Sequence, residues 1–125
     1  MRRTVLVSLA VALSGAPIYA HHSFAVDYIE TEMVSMEGNV VQFDYKNPHS
    51  ILVVAVADEQ GQLQTFSMEF GGINRLKRDG ITPETFKVGD RVVLRGSPGR
   101  RPQERRVHLK GLLRPADGFS WGRQS

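Results

Sequence analysis

The sequence predicts an all-β fold with one short helix, a five-stranded barrel of the OB type. Three observations carry the prediction. Short runs rich in β-branched and alternating apolar residues recur in the order strand, strand, strand, helix, strand, strand. The first run is long and changes its apolar phase around a glycine, so it can bend and pair at both ends. A chain of 125 residues without cysteine holds one domain and has no disulfides to staple it. A closed sheet answers both limits, because closure removes exposed strand edges. The chief competitor is an SH3-like barrel. The helix between the third and fourth strands favours the OB layout.

Residues 1–20 read as a signal peptide. Arg2 and Arg3 form a cationic start, and Thr4 to Ser14 is an apolar run of eleven. Gly15 and Pro17 break it, and Ile18-Tyr19-Ala20 ends on a small residue suited to cleavage. The run is shorter than the roughly 20 residues a bilayer demands. The expected location is therefore the periplasm, with no membrane span after processing. The paired arginines hint at the twin-arginine route, but the rest of that pattern is poor and the general route fits better.

Residues 21–125 are then one barrel domain with an irregular lead-in over 21–32 and a C-terminal tail. Val34 to Tyr45 is the first strand. Val34 and Met36 share one face and Val41, Phe43 and Tyr45 the other, with the switch at Gly38-Asn39-Val40. A bulge there returns both sets to one side. Asn47-Pro48 ends the strand, since proline cannot donate to a ladder. Ile51 to Ala57 is apolar on both faces and reads as a central strand. Asp58-Glu59-Gln60-Gly61 turns into Leu63 to Phe70, with Phe66, Met68 and Phe70 on one face.

Ile73 to Arg78 makes the short helix. Its basic last turn suits the negative helix end, and Gly80 terminates it. Thr82-Pro83-Glu84 can start another helical turn. Arg91 to Gly96 is the fourth strand, and Ser97 to Glu104 a loop. Arg105 to Leu113 is the fifth strand, with Val107, Leu109 and Leu113 inward and Arg106, His108, Lys110 and Arg114 outward. Phe119 and Trp121 fall in the glycine-rich tail.

Charge is unevenly spread. Residues 21–69 carry eight acids and one base, and residues 70–125 five acids and thirteen bases. Interleaved strands neutralise much of that difference. A segregated arrangement instead leaves a basic surface around Arg95, Arg100, Arg101, Arg105, Arg106 and Lys110, fit for anionic lipid or an acidic partner. That surface supports an alternative role as an envelope structural or interaction protein. Nucleic acid is a poor partner. Strands two and three are the usual ligand face of an OB barrel, and no lysine or arginine lies between Lys46 and Arg75 to track phosphates. No serine, histidine and acid spacing marks a catalytic triad, and the acids Glu30, Glu32 and Glu37 most simply solvate a surface. The expectation is a protein that is not an enzyme.

The remaining chemistry rests on histidine. Cleavage after Ala20 makes His21 the mature N-terminus, offering an amine and an imidazole from one residue. The amine titrates near pH about 8, so a metal displaces its proton at neutral pH. A further imidazole from His49 or His22 completes three nitrogens, a donor set that suits copper(II). Proline makes the Asn47-Pro48-His49 loop stiff, and Glu69 is placed to orient a ligand. The expected metal residues are thus His21, His22 and His49, with Asn47 and Glu69 in support. Met33, Met36 and Met68 are softer donors that fit core or strand-face positions better. The plainer reading gives His49 a turn-capping role and leaves the terminal histidines without a ligand. His108, between Arg106 and Lys110, is expected to be a surface residue.

Several motifs together resemble a known family. They are Ala20-His21-His22-Ser23-Phe24, Met36-Glu37-Gly38-Asn39-Val40, Asn47-Pro48-His49, Glu69 and Lys87-Val88-Gly89-Asp90. Over essentially the whole mature chain the sequence is similar to DUF6152, a family of small exported proteobacterial proteins. That family usually shows tryptophan where this chain has Phe43-Asp44-Tyr45 and Phe66. The resemblance implies an envelope location and a small barrel. It implies no activity, catalytic residue or cofactor, and marks His21, His22, Asn47, His49 and Glu69 as positions of interest only.

Overall fold

The computed structural model describes residues 23–124. The elements are α1 (Phe24–Asp27), β1 (Val34–Asp44), β2 (Ile51–Ala57), β3 (Leu63–Glu69), α2 (Ile73–Arg78), β4 (Arg91–Pro98), a 3₁₀ turn at Pro102–Glu104, β5 (Arg106–Arg114) and β6 (Phe119–Gly122). Hydrogen-bonded neighbours run β3-β2-β1-β4-β5-β6, and β3 also pairs with β5 in parallel. That last pairing closes β1 to β5 into a barrel of the OB type, with β6 appended to β5. The seam is short, from Ser67 opposite Arg106 to Glu69 opposite His108. Among the described residues no helix is long and apolar enough to cross a membrane.

β1 belongs to both halves of the barrel. Residues 34–39 pair with β4 and residues 39–44 with β2, so Asn39 has a partner on each side. Gly38 sits at this crossover, where a side-chain carbon would overlap the Ala55 carbonyl. The bulge in β1 falls at Val41, between Val40 and Gln42. Val41 is therefore exposed rather than grouped with Phe43 and Tyr45, and those two rings still reach the core. The apolar switch is real, and it lies one residue beyond the Gly38-Asn39-Val40 segment.

The barrel interior holds Val40, Leu52, Val54, Met68, Phe70, Val92, Leu94, Val107, Leu109 and Leu112. Leu76 of α2, with Ile81 and Phe86, plugs one end. Tyr45 ties the plug to β1 by donating its hydroxyl to the Ile81 carbonyl at 3.0 Å. Burying that apolar set supplies most of the driving force, at roughly 1.5–3 kcal/mol for each large side chain.

Three expectations are corrected. The lead-in contains α1, whose Ser23 side chain accepts from the Ala25 N–H as a helix cap. The inward residue late in β5 is Leu112, not Leu113. Arg95 pairs with Gly111 and Gly96 with Leu109, so Lys110 is an extra residue and the alternation flips there. The C-terminal tail is strand β6, with Trp121 opposite Leu112 and its indole edge-on to Phe70 at 5.3 Å.

Ion pairs join the acidic and basic halves. Glu37 meets Arg91 at 2.9 Å, Asp27 meets Arg101 at 3.6 Å, and Glu30 meets Lys110 at 3.0 Å. Cations of β4 and of the loop that follows it make intramolecular contacts while staying at least partly exposed. Arg95 donates to the Gln124 carbonyl and Arg100 to the Ala25 carbonyl, while Arg101 meets Glu104.

Candidate functional site

The outer face of the β3–β5 seam carries the densest polar cluster of the described chain. Strand alternation turns Glu69, Arg106, His108 and Lys110 away from the barrel interior. The segment from α1 to Glu30 then crosses over them. Tyr28 bridges to Gly99, and Ile29 N–H donates to the Pro98 carbonyl, so the segment is stitched to the end of β4. Outward-facing residues are thereby covered.

Glu69 is the hub. Its Oε1 lies 2.9 Å from His49 Nδ1, and its Oε2 accepts from Arg106 Nη2 at 2.8 Å and from the Tyr28 hydroxyl. The Arg106 guanidinium also lies over the Tyr28 ring, 5.3 Å from its centroid. Burial pushes the Glu69 carboxyl up, but the hydrogen bonds from Tyr28, Arg106 and His49 outweigh it and hold the group below the usual carboxylate range. Burial, reinforced by the Glu69 charge, raises the Tyr28 phenol well above its ordinary value. Tyr28 is therefore a neutral donor and Glu69 an ionised acceptor at neutral pH.

A second histidine–carboxylate pair lies beside the first. His108 Nδ1 is 2.8 Å from Glu30 Oε1, and Lys110 Nζ is 3.0 Å from Glu30 Oε2. The His108 side chain is only 18% exposed. Phe24 explains this: its ring stacks on His108 with centroids 3.7 Å apart and planes 1° from parallel. The same ring touches His49, centroid to centroid at 4.7 Å. Phe24 thus bridges two imidazoles, each with its Nδ1 committed to a carboxylate and its Nε2 free of any partner among the described residues. A carboxylate on one ring nitrogen fixes the orientation of the other, the arrangement found behind metal-ligating histidines.

The reading of His108 as a surface residue is overturned. Alternation correctly turns it out of the barrel, but α1 lies over that side. One local signal existed. Ser23 followed by aromatic residues at 24 and 28 is a capped turn with an i,i+4 aromatic pair, and those rings lie 5.9 Å apart.

The other expected site residues divide. His21 and His22 lie outside the described residues. Asn47 Oδ1 accepts from the Ile73 N–H at 2.9 Å, so its side chain anchors the start of α2. Gly72 lets that loop approach, since a side-chain carbon there would crowd the Pro48 carbonyl and Asn47 Oδ1. The Asn47–Pro48 peptide is cis. It leads into buried Ser50, whose hydroxyl donates to the Lys46 carbonyl at 3.1 Å, and His49 projects between them toward Glu69. Met68 is in the core. Among the described residues no group of three or more histidine and acidic side chains is arranged to hold a metal ion unaided.

No curated protein and no solved structure matches the chain. A family model does, and its match over residues 7–108 takes in Phe24, Tyr28, His49, Glu69, Arg106 and His108 while stopping short of β6. The chain belongs to the family of unknown function DUF6152.

Proposed function

We propose that this protein is an exported, non-enzymatic binding module that takes copper(II) through its mature N-terminus and His49. Signal removal after Ala20 leaves it in the periplasm and frees the His21 amine and imidazole. The observation that carries the reading is the state of His49. Glu69 holds its Nδ1 at 2.9 Å, and the ring is 30% exposed beside Phe24. Nε2 is left as the available donor. Three peptide links limit the separation of the His21 and Phe24 Cα atoms to about 11 Å. The Phe24 ring is in contact with His49, so the terminal amine has the reach to join it. Three nitrogens from two residues favour the tetragonal field of copper(II), with His22 able to replace the His21 ring. Asn47 supports the loop through its bond to α2, and Glu69 supports the ligand directly.

The test is a copper(II) titration of correctly processed protein, followed by electron paramagnetic resonance. A tight one-to-one complex with nitrogen hyperfine structure is expected. His49→Ala should weaken it at least tenfold, and one extra residue before His21 should do the same by displacing the amine. Unchanged affinity and spectrum in both variants would end the proposal. Native mass spectrometry of protein from the periplasm reads the processed terminus and the bound metal together.

A further inference from the structure

Phe24 and His108 also line a cavity that includes neither His49 nor Glu69. This cavity of about 710 Å³ opens between α2, the middle of β5 and β6. That volume falls in the range of small-molecule sites, about 300–1,000 Å³. Its walls combine flat apolar surface with convergent positive charge. Trp121 and Phe70 meet edge to face at 5.3 Å, and Phe24 also lines the cavity. Arg75 from α2, Lys110 from β5 and Arg123 just after β6 reach it from three separate elements.

The charges in the wall do not balance. Asp79 is the one acid lining the cavity. Its Oδ2 already accepts from Trp121 Nε1 at 3.0 Å and from Arg75 Nε at 3.2 Å. Those bonds pin the indole and neutralise Arg75. Lys110 is matched by Glu30 from outside the cavity. Arg123 has no side-chain partner among the described residues, and its backbone N–H donates to the Lys110 carbonyl at 2.8 Å, which anchors its main chain at the cavity wall. A guanidinium free to turn on an anchored main chain, in a wall that also holds a pinned indole, suits a carboxylate carried on a flat ring. The carboxylate meets Arg123 bidentately, and the ring lies against Trp121.

We propose that this cavity binds small aromatic carboxylates, with Arg123 as the anion anchor and Trp121 as the platform. A bare phosphate or sulfate would use the cation and leave the apolar wall empty. A neutral aromatic would use the wall and leave Arg123 without an anion.

The probe is 2-naphthoate, with 2-naphthylmethanol as its neutral counterpart, added to the processed protein in the presence of a chelator. Trp121 is the chain's one tryptophan, so its indole N–H gives a single resonance to follow. Naphthoate should shift that resonance saturably, and naphthylmethanol should bind at least tenfold more weakly. Arg123→Ala should weaken naphthoate about tenfold while leaving the far-ultraviolet circular dichroism unchanged, because the residue is exposed. Arg123→Lys should recover part of the loss. Equal binding of acid and alcohol, an indole that does not respond at millimolar naphthoate, or wild-type affinity in Arg123→Ala would each overturn the assignment. The chelator keeps the result independent of copper.

Discussion

Glu69→Gln is the most informative single change in the chain. It keeps the volume of the side chain and removes the charge that three donors share. The Tyr28 hydroxyl belongs to a residue only 1% exposed, so losing its charged acceptor costs about 1.5–3 kcal/mol. Arg106 is 32% exposed and keeps Glu104 at 3.5 Å, so its loss is about 1 kcal/mol after solvent screening. The expected destabilisation is about 2–4 kcal/mol, which lowers the melting temperature by on the order of 10–20 °C for a domain of this size. Thermal denaturation followed by circular dichroism at pH 7 reads it. The cause is then isolated with Tyr28→Phe in both backgrounds. Coupling of about 1–2 kcal/mol is expected, because the hydroxyl matters only while the carboxylate is there.

The pH dependence follows from the same shift. The folded-state pKa of Glu69 is depressed, so its contribution is complete above the unfolded value of about 4.3 and is lost as pH falls through the folded value. The gap between wild type and Glu69→Gln should therefore be full at pH 7 and narrow below pH about 4. A gap that stays undiminished at pH about 3, or strict additivity with Tyr28→Phe, would refute the charged-hub account and leave only packing.

Three further outcomes are expected. Leu112→Ala should destabilise by about 2–5 kcal/mol and Leu113→Ala by less than about 1.5 kcal/mol in denaturant titrations, because the Lys110 bulge puts the first inside and the second partly outside; the reverse order would remove the bulge. Gly111→Ala places a side-chain carbon on the Arg123 carbonyl, so β6 should detach and Trp121 emission shift to the red, whereas an unmoved spectrum would show that the strand tolerates the intrusion. Phe24→Ala should shift the ring-proton resonances of both His49 and His108, as the removed ring touches both; movement of only one would contradict the bridge.

Local chemistry made the barrel legible. Val34 to Tyr45 shows its phase change, Ile51 to Ala57 its double-sided burial, and Ile73 to Arg78 its basic last turn followed by glycine. Each signal arises within a few residues, where strand alternation or helix capping acts directly. The two bulges were harder. A one-residue insertion becomes definite only when the partner strand sets the register, as Gly96 opposite Leu109 does for Lys110. β6 is not legible in the sequence because four residues bounded by glycine have little preference of their own and become a strand by pairing with β5.

The candidate site divides along the same line. The sequence alone determined that His49 sits on a proline-stiffened loop and that β3 and β5 present polar side chains away from the core. Only the tertiary structure decided that His108 is covered and stacked, and that Glu69 gathers Tyr28, His49 and Arg106 from three distant segments. Periodicity reports which way a side chain leaves its own strand. What lies over that face is decided by long-range contact, here α1 folding back across the seam where β3 and β5 close the barrel.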